Sequence, residues 1–259
     1  MGSMVRKANT NASTENWHLL LQVFSCLDGP SLGRATCACK AWREVGVQED
    51  LWQQICRAKW PSLDSNAGSC VVKQAGGYRR LFARRFQAQH AQHRSDEEKP
   101  CLSLQSLIFL VDVTVGNEVL CSFVRRGHEL SGGEVFQFTV SLCDGEVVGK
   151  GREVEKIEAL RNVKVSWAVM VMGSDRVFQV MDSIKAGQVI GGGCSFWEAL
   201  ADHRCCCAPG MSQHLAEVGL GLGVNGGLQE VSLALLNTLD WRYFSIAHAL
   251  TYFQHLFFG

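Results

Sequence analysis

The chain changes its hydrophobic period once, and that change limits what it can fold into. From Asn16 to Phe86 apolar side chains return every third or fourth position; beyond Pro100 they return every second. The first spacing lays one stripe along a helix, the second lays one face along a strand. Between them stands Ser-Asp-Glu-Glu-Lys-Pro (95–100), a polar stretch ending in proline. The chain reads as α+β: helices first, then a mainly antiparallel sheet.

In the helical part, the small polar segment 1–15 reads as a disordered tail. Residues 16–61 then carry three stripes: Leu20, Val23, Phe24 and Leu27; Leu32, Ala35, Cys39 and Trp42; and Leu51, Trp52, Ile55 and Cys56. Asp28-Gly29-Pro30 divides the first from the second, with Pro30 placed for a first helical turn. Three short helices are expected, a module too small to be very stable alone. Residues 62–100 read as a loop followed by a basic linker helix, with Tyr78, Leu81, Phe82 and Phe86 on its apolar face and its arginines in solvent. The mixture of arginine and aromatic residues there also fits a nucleic-acid helix, which the linker reading outweighs.

Residues 101–259 read as the β-rich domain. Leu107–Val115 and Val119–Val124 flank Gly116-Asn117, and the segments 163–172 and 176–181 flank Gly173-Ser174-Asp175, so two hairpins are expected. With Phe136–Leu142 and Leu215–Val224 the sheet comes to about six strands. Val231, Leu235, Leu236 and Leu239 return to helical spacing, so a helix from Gln229 is expected to close the sheet. The last segment, from Trp241, is apolar but interrupted by Arg242, His248, Gln254 and His255. It reads as a terminal helix, not a membrane span.

Formal net charge is zero, which removes the field of a general nucleic-acid or anionic-membrane binder. No secretion leader is expected, so the twelve cysteines are expected to be reduced and the protein to lie in cytoplasm or nucleus. No Cys-x-x-Cys occurs, and Cys205-Cys206-Cys207 beside His203 lack the spacing that wraps a zinc ion. Gly191–Ser195 lacks the Lys-Ser/Thr of a phosphate loop and the Gly-x-Ser-x-Gly of a hydrolase elbow. Asp112, Asp182 and Asp202 form no recognisable pair. The expectation is no catalytic residue, no metal and no cofactor.

Cys37-Ala-Cys-Lys-Ala-Trp-Arg43 sharpens this reading. On one helix Cys37 and Cys39 point apart and cannot chelate one ion, whereas Cys39 and Trp42 share a stripe. The run from Leu19 to Asp28, with Leu32, the Cys39-Lys40-x-Trp42-Arg43 order and Leu51-Trp52 before Cys56, resembles the F-box. Cys56–Leu63, Tyr78–Arg85, Leu107–Val113 and Leu235–Trp241 extend the resemblance to a group of plant F-box proteins. Where many F-boxes open with Leu-Pro, Glu15-Asn16 stands here. The resemblance implies an N-terminal F-box bundle that docks a Skp-family adaptor and through it a cullin, with a target held by the β half for ubiquitination. Leu20, Val23, Phe24, Leu27, Leu32, Cys39, Trp42, Leu51 and Trp52 are the candidate adaptor-binding residues, with Leu51 and Trp52 as large anchors. For the target, whose binding residues are unknown, 127–133 and the Gly- and Cys-rich stretch 187–210 are the expected contact loops. An adaptor-bound scaffold and a small-ligand-binding β domain are the alternatives.

Overall fold

A computed structural model of the chain describes residues 10–116, 118–130, 133–142, 162–190, 193–200, 213–223 and 227–258, with 88–100 excepted. Six helices come first: α1 (Thr10–Ser25), α2 (Gly29–Ala35), α3 (Lys40–Gly46), α4 (Glu49–Lys59), α5 (Asn66–Ala75) and α6 (Tyr78–Gln87). Local chemistry sets their ends. Asp28 caps α2, accepting from the Ser31 N–H at 2.8 Å, with Pro30 in the first turn. Ser65 caps α5 from Gly68 N–H at 2.9 Å, and Gly76, at φ 80, ends it in the left-handed region. Glu49 on α4 accepts from the Tyr78 N–H at 2.7 Å, so one helix caps the start of another.

The stripe from Leu32 to Trp42, expected on one helix, is carried by two. Thr36 Oγ1 donates to the Gly33 carbonyl at 2.6 Å, and Cys39 is fully extended at φ −158. A side-chain bond to the backbone competes with the helix ladder at that point, and the chain turns. α1 begins at Thr10, inside the segment expected as tail.

The β half is a sandwich of two antiparallel sheets. The first has the order β2-β1-β4-β5, from β1 (Leu107–Val115), β2 (Glu118–Arg126), β4 (Val163–Val171) and β5 (Val177–Lys185). The second has the order β3-β9-β8-β7-β6, from β3 (Gln137–Ser141), β6 (Gln188–Ile190), β7 (Gly193–Ala199), β8 (His214–Leu222) and β9 (Leu228–Asn237). A last helix, α7 (Ile246–Phe258), buries Ala249, Tyr252, Phe253, Phe257 and Phe258 against the core between the sheets. Both expected hairpins are present as β1–β2 and β4–β5.

Three expectations change. The described residues hold nine strands in two sheets, not about six in one. Gln229 onward is strand β9, not a helix, because Leu228–Asn237 pairs on both edges, with β8 and with β3. Part of the expected loop 187–210 is β6 and β7; residues 201–210 lie outside the described residues.

The first sheet is buried on both faces, and this sets the architecture. Phe109, Val111, Val113, Val165, Trp167 and Val169 face the second sheet. Ile108, Leu110, Val124, Ala168, Met170 and Val177 belong to a second cluster with Phe24, Leu32, Trp52, Trp60 and Leu81 from the helices. The helices therefore complete their core on the sheet. The middle of that contact is polar. Ser122, Asp112, Ser166 and Asp182 pair in one row across four strands. Asp112 accepts from the Ser62 N–H at 2.6 Å, Ser62 Oγ at 2.9 Å and Ser122 Oγ at 2.7 Å. Arg85 of α6 donates to Gln179 Oε1 at 2.7 Å and Ser166 Oγ at 3.0 Å, with its guanidinium 3.8 Å from the Trp60 ring centre. Lys59 reaches Asp182 at 2.8 Å. Burial raises the Asp112 carboxyl and pushes the Arg85 guanidinium down to about 10, and their opposite charges offset part of both effects.

Arg85, expected in solvent, is thus buried. Removing it takes the donor from Gln179 Oε1 and the offsetting positive charge from buried Asp112, and Arg85→Ala is expected to cost about 3–5 kcal/mol. Because helices and sheet share a core, the whole chain should unfold in one calorimetric transition. Two separated transitions, with Arg85→Ala moving only one, would show independent halves.

Candidate functional site

The helical module packs its largest side chains inward. Leu32, Leu51 and Trp52 are buried, and the Trp52 indole N–H donates to the Gly46 carbonyl at 2.8 Å. The same ring meets Phe82 of α6 at 5.3 Å between centroids. Phe24 is buried and meets Trp42 edge-on, centroids 5.5 Å apart at 81°. A Cβ on Gly29 would overlap the Phe82 ring, so glycine is needed where α2 crosses α6.

Phe86 of α6 is half exposed, and a further set of apolar side chains forms a ridge on α1 and α3. Leu19 is 60% exposed, Val23 58% and Trp42 41%. Leu19 and Val23 stand one helical turn apart, and Trp42 is tied to α1 through Phe24. The Cys39 thiol, also exposed, caps α3 by accepting from the Trp42 N–H at 3.5 Å. Lys40, Arg43 and Arg34 are exposed around it.

The nine residues read from the sequence therefore divide. Val23, Cys39 and Trp42 are exposed, and Leu20 and Leu27 are half-buried against the helical core. Phe24, Leu32, Leu51 and Trp52 are interior, so in this fold the last two hold α4 against α3 and α6 and offer no free surface as anchors. Sequence reading passed over Leu19. Its signal is the four-residue step to Val23, which marks a second apolar face on α1 beside the buried one.

The described residues contain no group of three or more His, Cys, Asp or Glu that could hold a metal ion. Cys37 lies in a turn and Cys39 at a helix cap, so the helix geometry invoked to separate them does not apply. His203 and Cys205–Cys207 lie outside the described residues. Asp112 and Asp182 share the buried row but serve Ser62, Ser122 and Lys59. No described helix is long and apolar enough to cross a membrane.

Four short helices with a two-helix apolar ridge call for comparison with known modules, and the F-box-like family model matches residues 18–58. Residues 18–58 are an F-box-like domain. The chain is similar to Probable F-box protein At5g04010 of Arabidopsis thaliana, 23% identical over 182 residues, 68% of this chain and 59% of that protein. F-box protein SNE of Arabidopsis thaliana is 33% identical over 64 residues, 25% of this chain and 41% of the relative. F-box protein At3g44326 of the same plant is 30% identical over 112 residues, 42% and 30% of the two chains. The chain thus spans less than two-thirds of the length of each of these relatives. The F-box resemblance read from the sequence is borne out, as is its plant affinity.

The division of F-box residues into interior and ridge has a direct readout. Trp52→Ala should cost about 3–5 kcal/mol of folding stability, whereas Trp42→Ala should cost about 1 kcal/mol or less; chemical denaturation separates them. Burial pushes the Cys56 thiol up to about 12 and raises Cys121 and Cys194 as well. Maleimide at neutral pH should therefore modify Cys26, Cys37, Cys39, Cys70 and Cys101 in the folded chain. Cys56, Cys121 and Cys194 should react only after unfolding, as peptide mass mapping would show.

Proposed function

We propose that this chain is the substrate-recognition subunit of an SCF-type cullin ubiquitin ligase, docking a Skp-family adaptor through its F-box and presenting a target on its β-sandwich. The observation that carries the reading is the Leu19–Val23–Trp42 ridge on a matched F-box. The module's own core is already filled by Phe24, Leu32, Leu51 and Trp52, so the ridge is surplus to folding. Apolar surface of this kind, centred on a tryptophan, is the usual anchor of a protein interface.

The mechanism is positional. A receptor that binds the adaptor at one end and a target elsewhere raises the target's concentration near the conjugating enzyme, with no catalytic residue of its own. The shared core suits this role, because a rigid link wastes less of that effective concentration than a floppy one. The reading carries with it a cytoplasmic or nuclear location.

The test is retention of a purified Skp-family adaptor by the full chain. Val23→Ala with Trp42→Ala should weaken retention at least about thirtyfold, as expected for hot-spot truncation, and leave the melting temperature within a few degrees. Trp52→Ala should lower the melting temperature first. Full retention by a folded Val23/Trp42 double variant would reject the ridge as the docking face.

A further inference from the structure

The turn between β9 and α7 displays large apolar side chains that the core does not use. Leu239 is 72% and Trp241 70% exposed, and Tyr243 is exposed beside them. Trp241 is the one non-glycine residue at positive φ among the described residues, at 56°. A bulky side chain in the left-handed region is held against its local preference. Yet the turn is braced. The Asn237 N–H donates to the Arg242 carbonyl at 2.9 Å, Thr238 N–H to the Gln213 carbonyl at 2.8 Å, and Phe244 N–H to the Leu235 carbonyl at 2.8 Å. A rigid turn that holds a tryptophan in solvent is pre-organised for contact.

The surface running away from this turn has one sign of charge. β3, β6, β7, β8 and β9 contain no lysine or arginine. Their outward face carries the Glu217 and Glu230 carboxylates. Tyr243 Oη donates to Glu217 at 3.3 Å, which joins the turn to the face. Next along β8 and β9 the row Ser195–Gly219–Ser232 forms the floor of a trough of about 490 Å3 that Glu230 borders. From the level of Glu230 to Asn237 at the base of the turn, β9 rises about 24 Å, the length of an extended segment of about seven residues.

We propose that this track, from Trp241 past Glu217 to Glu230, is where the sandwich holds its target, and that it takes an extended target segment with a large apolar side chain against Leu239 and Trp241 and basic side chains for Glu217 and Glu230. The apolar end supplies the anchor. The carboxylates lie on strands without lysine or arginine, and Arg242, the exposed cation of the turn, stands 3.9 Å from Asp240; the strand face thus selects for lysine or arginine and against acidic or phosphorylated segments. The proposal rests on the receptor reading above and names the chemistry of its target.

The experiment selects phage-displayed random peptides of about that length against the purified full chain, then measures binding of synthetic copies. Enriched sequences should combine a large apolar residue with lysine or arginine. Trp241→Ala and Leu239→Ala should each weaken binding at least about tenfold. Glu217→Gln with Glu230→Gln should weaken it and flatten its salt dependence. Trp241→Gly, which suits the positive φ, should keep or raise the melting temperature and show the same loss of binding. Acidic or uncharged consensus peptides, no enrichment at all, unchanged binding by the Trp241 variants, or a dimer of this chain that Trp241→Ala dissociates would each overturn the proposal. The same variants are scored for adaptor retention. If they hold the adaptor and still bind peptide, the track is wrong and the receptor reading stands; if the parent chain does not hold the adaptor, the receptor reading fails and the proposal falls with it.

Discussion

Arg85 lies at the point where two kinds of structure are joined. Its guanidinium comes from a helix, its acceptors Gln179 and Ser166 come from two strands of the first sheet, and its face rests on Trp60. Around it apolar packing alone would let the helices slide over a flat sheet, since hydrophobic burial has no direction. The hydrogen bonds to Arg85, and those of Ser62 to Asp112, fix one orientation. The cost of burying two charges is met by five strand and loop donors and acceptors, an arrangement in which specificity of docking is the gain.

That docking explains how a short helical module persists. Its helices are brief, and α2 and α3 have only seven residues each, well below what stands alone in water. The sheet provides the missing core: Leu110, Met170 and Val177 belong to one buried cluster with Trp52, Trp60 and Phe82. The helices can then leave Leu19, Val23 and Trp42 uncovered without collapsing on them. An exposed ridge on a marginal bundle needs a rigid support behind it.

Much of this was legible in the sequence. The switch of period marked where helices give way to sheet, and Gly116-Asn117 and Gly173-Ser174-Asp175 marked two hairpins, because turn chemistry is local. β9 was misread since Val231, Leu235 and Leu236 fit a helix while Val231, Leu233 and Leu235 fit a strand; pairing with distant β3 and β8 decides between them. Gly193 was taken for loop punctuation, but a Cβ there would overlap the Leu220 carbonyl of the neighbouring strand, so it is a glycine of close approach. The fate of Arg85 depended on Gln179, far along the chain. Of the F-box residues, the stripe rule found the inward ones best, because a stripe marks what is buried. The outward ridge shows only as one four-residue step, Leu19 to Val23, and Trp42 joins it from another helix.

The first sheet is a wall with a core on each side, and this has an evolutionary corollary. Along β1, Phe109 and Val111 answer to one core and Leu110 and Asp112 to the other, so neither parity of position is free to drift. The second sheet is walled on one side only. Its outward Glu217, Glu230 and Ser232, and Leu239 and Trp241 in the turn, belong to neither core. A lineage built on this plan could vary that outer face while both cores stay intact.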